Sequence, residues 1–477
     1  MKDTHRFAVL KVLLSAPAGA ETWELICTLF EEWPRSPTKP RALRMAAEAL
    51  QSWPDEQRHI STSRWWPDAP RGRPRPQWTQ LARQLWSSKG VTSKETLAFL
   101  QDPRFQSFTE LNLSDVKLDA ATLQALGEHS PPLRTLELSG TGLGDAGVLT
   151  LMRVPAFRQL VGLDLSHNAI GDAGAMALAA GCSSLEWLSL DGNRLYTAGV
   201  PRGSDEEEAL LNQKIGDEGA RSLGRAPFIR SLQSLDLSYQ AIHPSGAAQL
   251  LAAVANDRLK KLQIRYLAWE SSHEQDGYGY AEALGQKIAW RLQELDAYGN
   301  AIGDRGLGVL ARSGIFEALT WLDLGGNKLT AAGLQELTSV DAPAKLRSLG
   351  LTDNNLGPAG IHALVASGWL EGLEHLDLCG TQLGDEGLSI LLNSRALRGL
   401  KSLQLGYNHG GGLTDRAARE LSECPDLQEL QSLFLAFNTI GDEGAHALAK
   451  SSCFPSLRRL HLFANPITDR GALALVQ

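Results

Sequence analysis

The sequence predicts an α/β solenoid, a concave parallel β-sheet with helices on its convex side, preceded by an α-helical N-terminal segment. Three observations predict it. A leucine-spaced unit recurs thirteen times from residue 108 onward, most copies starting 27 residues after the one before. Each copy joins a strand-like half to a helix-like half. The first 107 residues lack the unit and hold seven of the twelve tryptophans.

The N-terminal segment, 1–107, reads as helices near 4–15, 20–33, 40–52 and 77–88, with a Pro/Arg-rich loop from Pro67 to Pro76. Met1 to Ala20 has early basic residues and the apolar run Phe7 to Leu14, but Lys11 splits that run. A buried first helix fits this better than a secretion signal. The segment is expected to cap the exposed core of the first repeat. The alternative is a docking module built on Trp65, Trp66 and the arginines of Arg71 to Arg75.

The repeat array, 108–477, follows the pattern L-x-x-L-x-L-x-x-N-x-I/L-G-D-x-G-A-x-x-L. Its copies begin at Phe108, Leu133, Leu160, Leu185, Leu232, Leu259, Leu292, Leu319, Leu346, Leu373, Leu400, Leu430 and Leu457. The leucine half is a short strand, its leucines pointing into the core. The asparagine follows at the turn, where an amide can satisfy backbone groups of neighbouring coils. Asn168, Asn193, Asn300, Asn327, Asn354, Asn408, Asn438 and Asn465 form this ladder, and Val116, Thr141, Gln240, Leu267 and Thr381 interrupt it. Leu267 cannot make the amide bond, so its coil is expected to be distorted. Gly-Asp or Thr-Asp then opens a helix with a capping oxygen. The small pair Gly-Ala is expected to let that helix approach the strand closely. Insertions at 196–214, with the acidic run Asp205 to Glu208, and at 268–291 leave the chain just after a strand, as does the short His409 to Gly412. All three are expected on one rim.

These residues resemble the ribonuclease-inhibitor-like leucine-rich repeats, with a bacterial-type G-D-x-G-A-x-A-L flavour, as in Gly441 to Leu448. The resemblance covers 108–477 and implies a horseshoe that binds other proteins. Relatives of this kind include ribonuclease inhibitor, the sensor arrays of NOD-like receptors and the GTPase-activating protein of Ran. They imply two further possibilities for function, a regulator of an enzyme such as a small GTPase and a secreted host-interaction factor.

Charge narrows the partner. The formal net charge of −8 divides into +5 for residues 1–107 and −13 for the rest. An acidic body disfavours nucleic acid and favours a basic protein surface. Five scattered cysteines with no metal-ligand spacing fit a reducing, cytoplasmic compartment, and no apolar run is long enough to span a membrane. HExxH, GxSxG and P-loop motifs are absent, so a non-catalytic scaffold with no cofactor and no metal is expected.

The expected binding surface is the concave face. Its carboxylates are Glu137, Asp164, Asp236, Asp296, Asp323 and Asp377, which in many coils occupy the position between the second and third leucines. Its aromatic residues are Trp187, Tyr239, Tyr266, Tyr298, Trp321, Tyr407, Phe434, Phe437 and Phe463, with His461 beside the last four. The array stops inside its last helix, so a homodimer through the C-terminal repeat is expected as well.

Overall fold

The computed structural model describes residues 3–33, 36, 38–54, 58–61, 84–86, 96–97, 100–101, 105, 108–192, 213–254, 257–267, 277–286, 290–408 and 412–476. The chain forms two compact units, one of residues 1–214 with 226–228, the other of residues 215–225 with 229–477.

The first unit opens with three helices, α1 (Asp3–Ser15), α2 (Ala20–Glu32) and α3 (Lys39–Ala49), close to the spans expected. Their apolar faces meet around Trp23, Phe30 and Trp33, with Leu10 buried beside them. Phe7 stands edge-on to Trp33 at 5.3 Å between ring centroids and Phe30 stacks on it at 5.8 Å. Strands β1 (His59–Ser61) and β2 (Gln84–Trp86) follow. The helix expected near 77–88 is therefore corrected at 84–86, which is strand. These two strands pair in parallel with each other and with β3 (Glu110–Asn112), so the sheet starts upstream of residue 108. β4 (Thr135–Glu137), β5 (Gly162–Asp164) and β6 (Trp187–Ser189) extend it, and α4 (Ala120–His129), α5 (Gly144–Met152) and α6 (Asp172–Gly181) alternate with them.

The second unit repeats the scheme. Its strands are β7 (Ser234–Asp236), β8 (Lys261–Gln263), β9 (Glu294–Asp296), β10 (Trp321–Asp323), β11 (Ser348–Gly350), β12 (His375–Asp377), β13 (Ser402–Gln404), β14 (Ser432–Phe434) and β15 (Arg459–His461). Its helices are α7 (Asp217–Leu223), α8 (Pro244–Val254), α9 (Tyr278–Leu284), α10 (Gly303–Ser313), α11 (Ala331–Glu336), α12 (Gly357–Ala366), α13 (Gly384–Asn393), α14 (Asp415–Glu423), α15 (Asp442–Ala449) and α16 (Asp469–Val476). Each of the thirteen expected repeats contributes one strand, β3 to β15, beginning two residues after its first apolar residue. The fold is an α/β leucine-rich-repeat solenoid. Within each unit successive strands of the array pair in parallel with leucine opposite leucine, as Leu322 does with Leu295 and Leu349. A single coil has no core of its own, so its leucines are buried only by stacking.

Two ladders hold the stack. In the first, Asn327 accepts the amides of Asn300 at 3.0 Å and Ile302 at 3.3 Å, and donates to the carbonyls of Ala297 and Gly325. At Gln240 the side-chain amide oxygen takes over, accepting the Ile215 amide at 2.8 Å, and at two other interruptions a backbone carbonyl does. The Leu267 carbonyl accepts the Ile242 amide at 2.9 Å, and that of Thr381 accepts the Leu356 amide at 3.2 Å. The distortion expected at Leu267 is corrected accordingly: β8 keeps leucine-to-leucine register with both neighbours.

The second ladder revises the reading of Gly-Asp. The aspartate does not cap its own helix, although at the Thr-Asp steps the threonine does, Thr414 Oγ1 accepting the Arg416 amide at 3.1 Å and Thr468 Oγ1 the Arg470 amide at 3.3 Å. The aspartate lies in the first turn, and its carboxylate holds the start of the next coil's helix. Asp415 Oδ1 accepts the amides of Gly441 at 2.6 Å and Gly444 at 2.9 Å. Asp145 does the same for Gly171 and Gly174, and Asp442 for Thr468 and Gly471. At these junctions this explains the glycine three residues after the cap, whereas Gly147, Gly306, Gly360 and Gly387 lie nearest an apolar side chain. A Cβ on Gly444 would lie 2.6 Å from Asp415 Oδ1 and 2.6 Å from Ile440 Cγ2. The glycine makes room for the preceding coil's carboxylate, rather than for the strand.

Of the expected insertions, residues 193–212, 268–276, 287–289 and 409–411 lie outside the described residues, as do Trp65, Trp66, Trp78, Asn193 and the loop from Pro67 to Pro76. The part of the second insertion that is described is not a rim loop. Tyr278–Leu284 is that coil's own helix, with Tyr280 buried and its hydroxyl donating to the Ile242 carbonyl at 2.9 Å.

Candidate binding surface

In most strands the central leucine is buried and the flanking residues are half-buried, so the first and third strand positions form the sheet's open face, away from the helices. The expected site residues fall on this face or in the turns just behind it.

In the first unit, Glu137 and Asp164 stand side by side at paired positions of β4 and β5. Burial, then the charges of Asp164 and Glu110, push the Glu137 carboxyl above its usual range. The Asn112 amide donates to it. Trp187 faces Gly162 on the adjacent strand, where any Cβ would overlap the indole.

The aspartates at the third strand position share a local task. One oxygen of each accepts the amide two residues on: Ser166 for Asp164, Ser238 for Asp236, Gly325 for Asp323 and Cys379 for Asp377, at 2.8 to 3.0 Å. The acid ladder is therefore first a device that turns the chain at the strand exit.

Within the second unit the expected residues gather into two clusters. The first is centred on a residue that the sequence reading passed over, Arg265. Its Nε lies 2.8 Å from Asp296 Oδ2 and its Nη2 lies 3.6 Å from Asp323 Oδ2. Its guanidinium also sits 5.5 Å from the centre of the Tyr298 ring. Tyr239, Tyr266 and Tyr298 run in sequence at 5.0 and 5.3 Å between centroids. The Tyr298 hydroxyl donates to Asp353 at 2.6 Å. Asp296 is only 3% exposed, and desolvation pushes its carboxyl up to about 6 despite Arg265. Burial raises Asp323 as well. These carboxylates serve an internal ion pair, which removes Asp296 and Asp323 from an open acidic ladder for a basic partner.

The second cluster is aromatic. Tyr407 and Phe437 stack at 4.3 Å with an interplanar angle of 18°. Phe463 stands edge-on to Phe437 at 5.2 Å and to Phe434 at 5.8 Å. His461 is 5.5 Å from Phe434. Tyr407 remains 45% exposed and Phe463 53%. Phe434 lies against Gly406, where any Cβ would overlap its ring. Tyr407 and Phe437 have φ of 55° and 56°; the equivalent positions of other coils are left-handed too, with Gly299, Gly326 and Gly380 in some and Asp115, His167, Tyr239, Tyr266, Asp353 and Ala464 in others. Side chains here cost about 1–2 kcal/mol of backbone strain that glycine avoids. Trp321 and Asp377 join neither cluster, lying between them on β10 and β12.

Among the described residues no group of three His, Cys, Asp or Glu side chains is placed to hold a metal ion, and no helix is long and apolar enough to cross a membrane. All five cysteines are free thiols.

Fold and surface together define a leucine-rich-repeat solenoid with an open sheet face. The Leucine Rich repeat family model matches residues 129–152, 160–179, 342–365, 373–391, 427–449 and 455–476, stretches that each contain a strand and most or all of the following helix. The chain is similar in fold to a structure of the Rad7 and Elc1 complex in yeast, with 18% identity and a TM-score of 0.47 over 78% of this chain and 84% of that one. It is also similar to an internalin from Listeria monocytogenes, with 18% identity and a TM-score of 0.42 over 80% of this chain and 92% of that one. No curated protein matches the sequence.

Proposed function

We propose that the protein is a non-catalytic binding scaffold, and that its second unit grips a protein partner through the aromatic end of its open face. The observation that carries this is the cluster of Tyr407, Phe434, Phe437 and Phe463. Two of its rings, Tyr407 and Phe463, are about half exposed, and both pack against Phe437 of the coil between theirs. Exposed aromatic residues are common interface anchors. The alternative of pure sheet stabilisation accounts for Phe434 over Gly406 but not for the exposure of Tyr407.

The Tyr239–Tyr266–Tyr298 row and Arg265 belong in this reading to the scaffold that keeps the face in shape. The 27-residue spacing and the helix in each coil support repeats of the ribonuclease-inhibitor-like kind. Five free thiols support a cytoplasmic setting.

The test is affinity capture with wild type, a Tyr407→Ala/Phe463→Ala variant and a helix-side control, Glu386→Ala. A protein held by wild type and control but lost by the aromatic variant supports the reading. Equal capture by all three would overturn it.

A further inference from the structure

Resting on that reading, we infer that the aromatic end of the open face takes an acidic protein segment with an apolar or aromatic anchor, not the basic partner that the net charge suggests. The three strand segments at this end, 400–408, 430–438 and 457–465, contain no Asp or Glu. They carry Lys401, Arg458, Arg459 and His461 instead. The four segments before them, 292–300, 319–327, 346–354 and 373–381, each contain at least one carboxylate, among them Asp296, Asp323, Asp353 and Asp377. In a chain of net charge −8 this reversal coincides with the aromatic cluster.

The cations of this end are not all spent on the fold. Lys401 is paired with Glu374 at 2.7 Å, but Arg458 and Arg459 are exposed and neither faces a carboxylate among the described residues. Arg459 is the first residue of β15, directly beside Ser432 of β14, and His461 lies two residues on, against Phe434. Arg459, at a first strand position, shares the open face with the cluster. A segment that seats an apolar side chain on Tyr407 and Phe463 and follows the strand therefore meets that guanidinium, which binds carboxylates in a two-pronged fork. Two unpaired arginines suit one or two carboxylates. A nucleic acid strand would need more cations, and its phosphates would run onto the acidic coils next door.

The test is fluorescence anisotropy on the full chain with three probes: a short peptide with a Trp-Leu centre flanked by glutamates, its lysine-flanked counterpart, and oligothymidylate. The glutamate peptide is expected to bind, more weakly as salt is raised. Arg459→Glu and Tyr407→Ala should each weaken it by about tenfold, while Arg459→Lys keeps most of the affinity. Arg459 is exposed, so its variants fold, and an unchanged thermal midpoint verifies it. Tighter binding of the lysine peptide, lost in Tyr407→Ala, would overturn the acidic partner but leave the proposed use of the face standing. Tighter binding of oligothymidylate would overturn both in favour of nucleic acid. Failure of every probe at millimolar concentration would also overturn both.

Discussion

Removing the Asp415 carboxylate tests whether the aspartate ladder couples one coil to the next. Its Oδ1 holds the Gly441 and Gly444 amides, the cap and the first turn of α15. Asp415→Ala leaves both amides without that acceptor. Loss of a helix cap costs about 0.5–2 kcal/mol, and loss of a negative charge at a helix N-terminus adds about 0.3–1 kcal/mol. Together they give about 2 kcal/mol, localised at one junction. Hydrogen exchange reads this directly: the Gly444 amide should exchange about 30-fold faster, at about 1.4 kcal/mol per tenfold, with amides of α11 unchanged. Asp415→Asn keeps an oxygen acceptor and should cost about 0.5 kcal/mol, the charge alone. The chain supplies its own control at α14, where Ala417 replaces the glycine and, among the described residues, the Asp385 carboxylate bonds to Thr414 alone. Gly444→Ala should therefore cost about one hydrogen bond, roughly 1 kcal/mol. Unchanged exchange in Asp415→Ala, or equal effects of Ala and Asn, would refute the coupling.

Four other outcomes follow from the structure. The Asp296 carboxyl is raised to about 6, so folding favours its neutral form. Stability of the second unit should then fall as pH rises from about 4 through about 6, and denaturation of Asp296→Asn should show a shallower slope across that window. Arg265→Met removes the cation between Asp296 and Asp323, and the same slope should steepen. Asn327→Ala deletes four buried hydrogen bonds and should cost about 2–4 kcal/mol by chemical denaturation. Gly406→Ala pushes Phe434 off its seat and crowds the Ala436 carbonyl, so it should weaken glutamate-peptide binding about tenfold and lower the midpoint.

How much of this was legible depends on distance along the chain. A leucine strand announces itself within six residues, and β3 to β15 all lie where the pattern puts them. β1 and β2 were missed because His59-Ile60-Ser61 and Gln84-Leu85-Trp86 have one aliphatic residue each, with no triplet of leucines around it. The asparagine ladder was readable because one residue type recurs at one position. Its replacement at Leu267 was not, because the substitute is a backbone carbonyl. The acid row could be read as positions but not as roles. An aspartate ending a strand before a turn was a signal for a bond to its own chain, and net charge drew attention to a partner instead. Arg265 was invisible for a different reason: its own strand segment carries no acid, and Asp296 and Asp323 come to it from the next two coils. The aromatic end was the part of the surface best placed from sequence, since four rings on three consecutive coils must meet when those coils stack.

The aspartate link also bears on how such a chain can lengthen. Because Asp415 serves the helix after its own, a coil is not self-contained: it offers a carboxylate forward and a glycine backward. Duplicating the coil that carries Asp442 would place that carboxylate against a cap and glycine of the kind it already holds, and the new junction would close at once. The coil headed by Gly357-Pro358 offers no carboxylate at that position, and its successor's Gly387 meets Pro358 instead. Copies of that coil would stack without the clasp. Growth by duplication is thus easier at the C-terminal coils, where Asp385, Asp415 and Asp442 follow one another, than in the middle of the second unit.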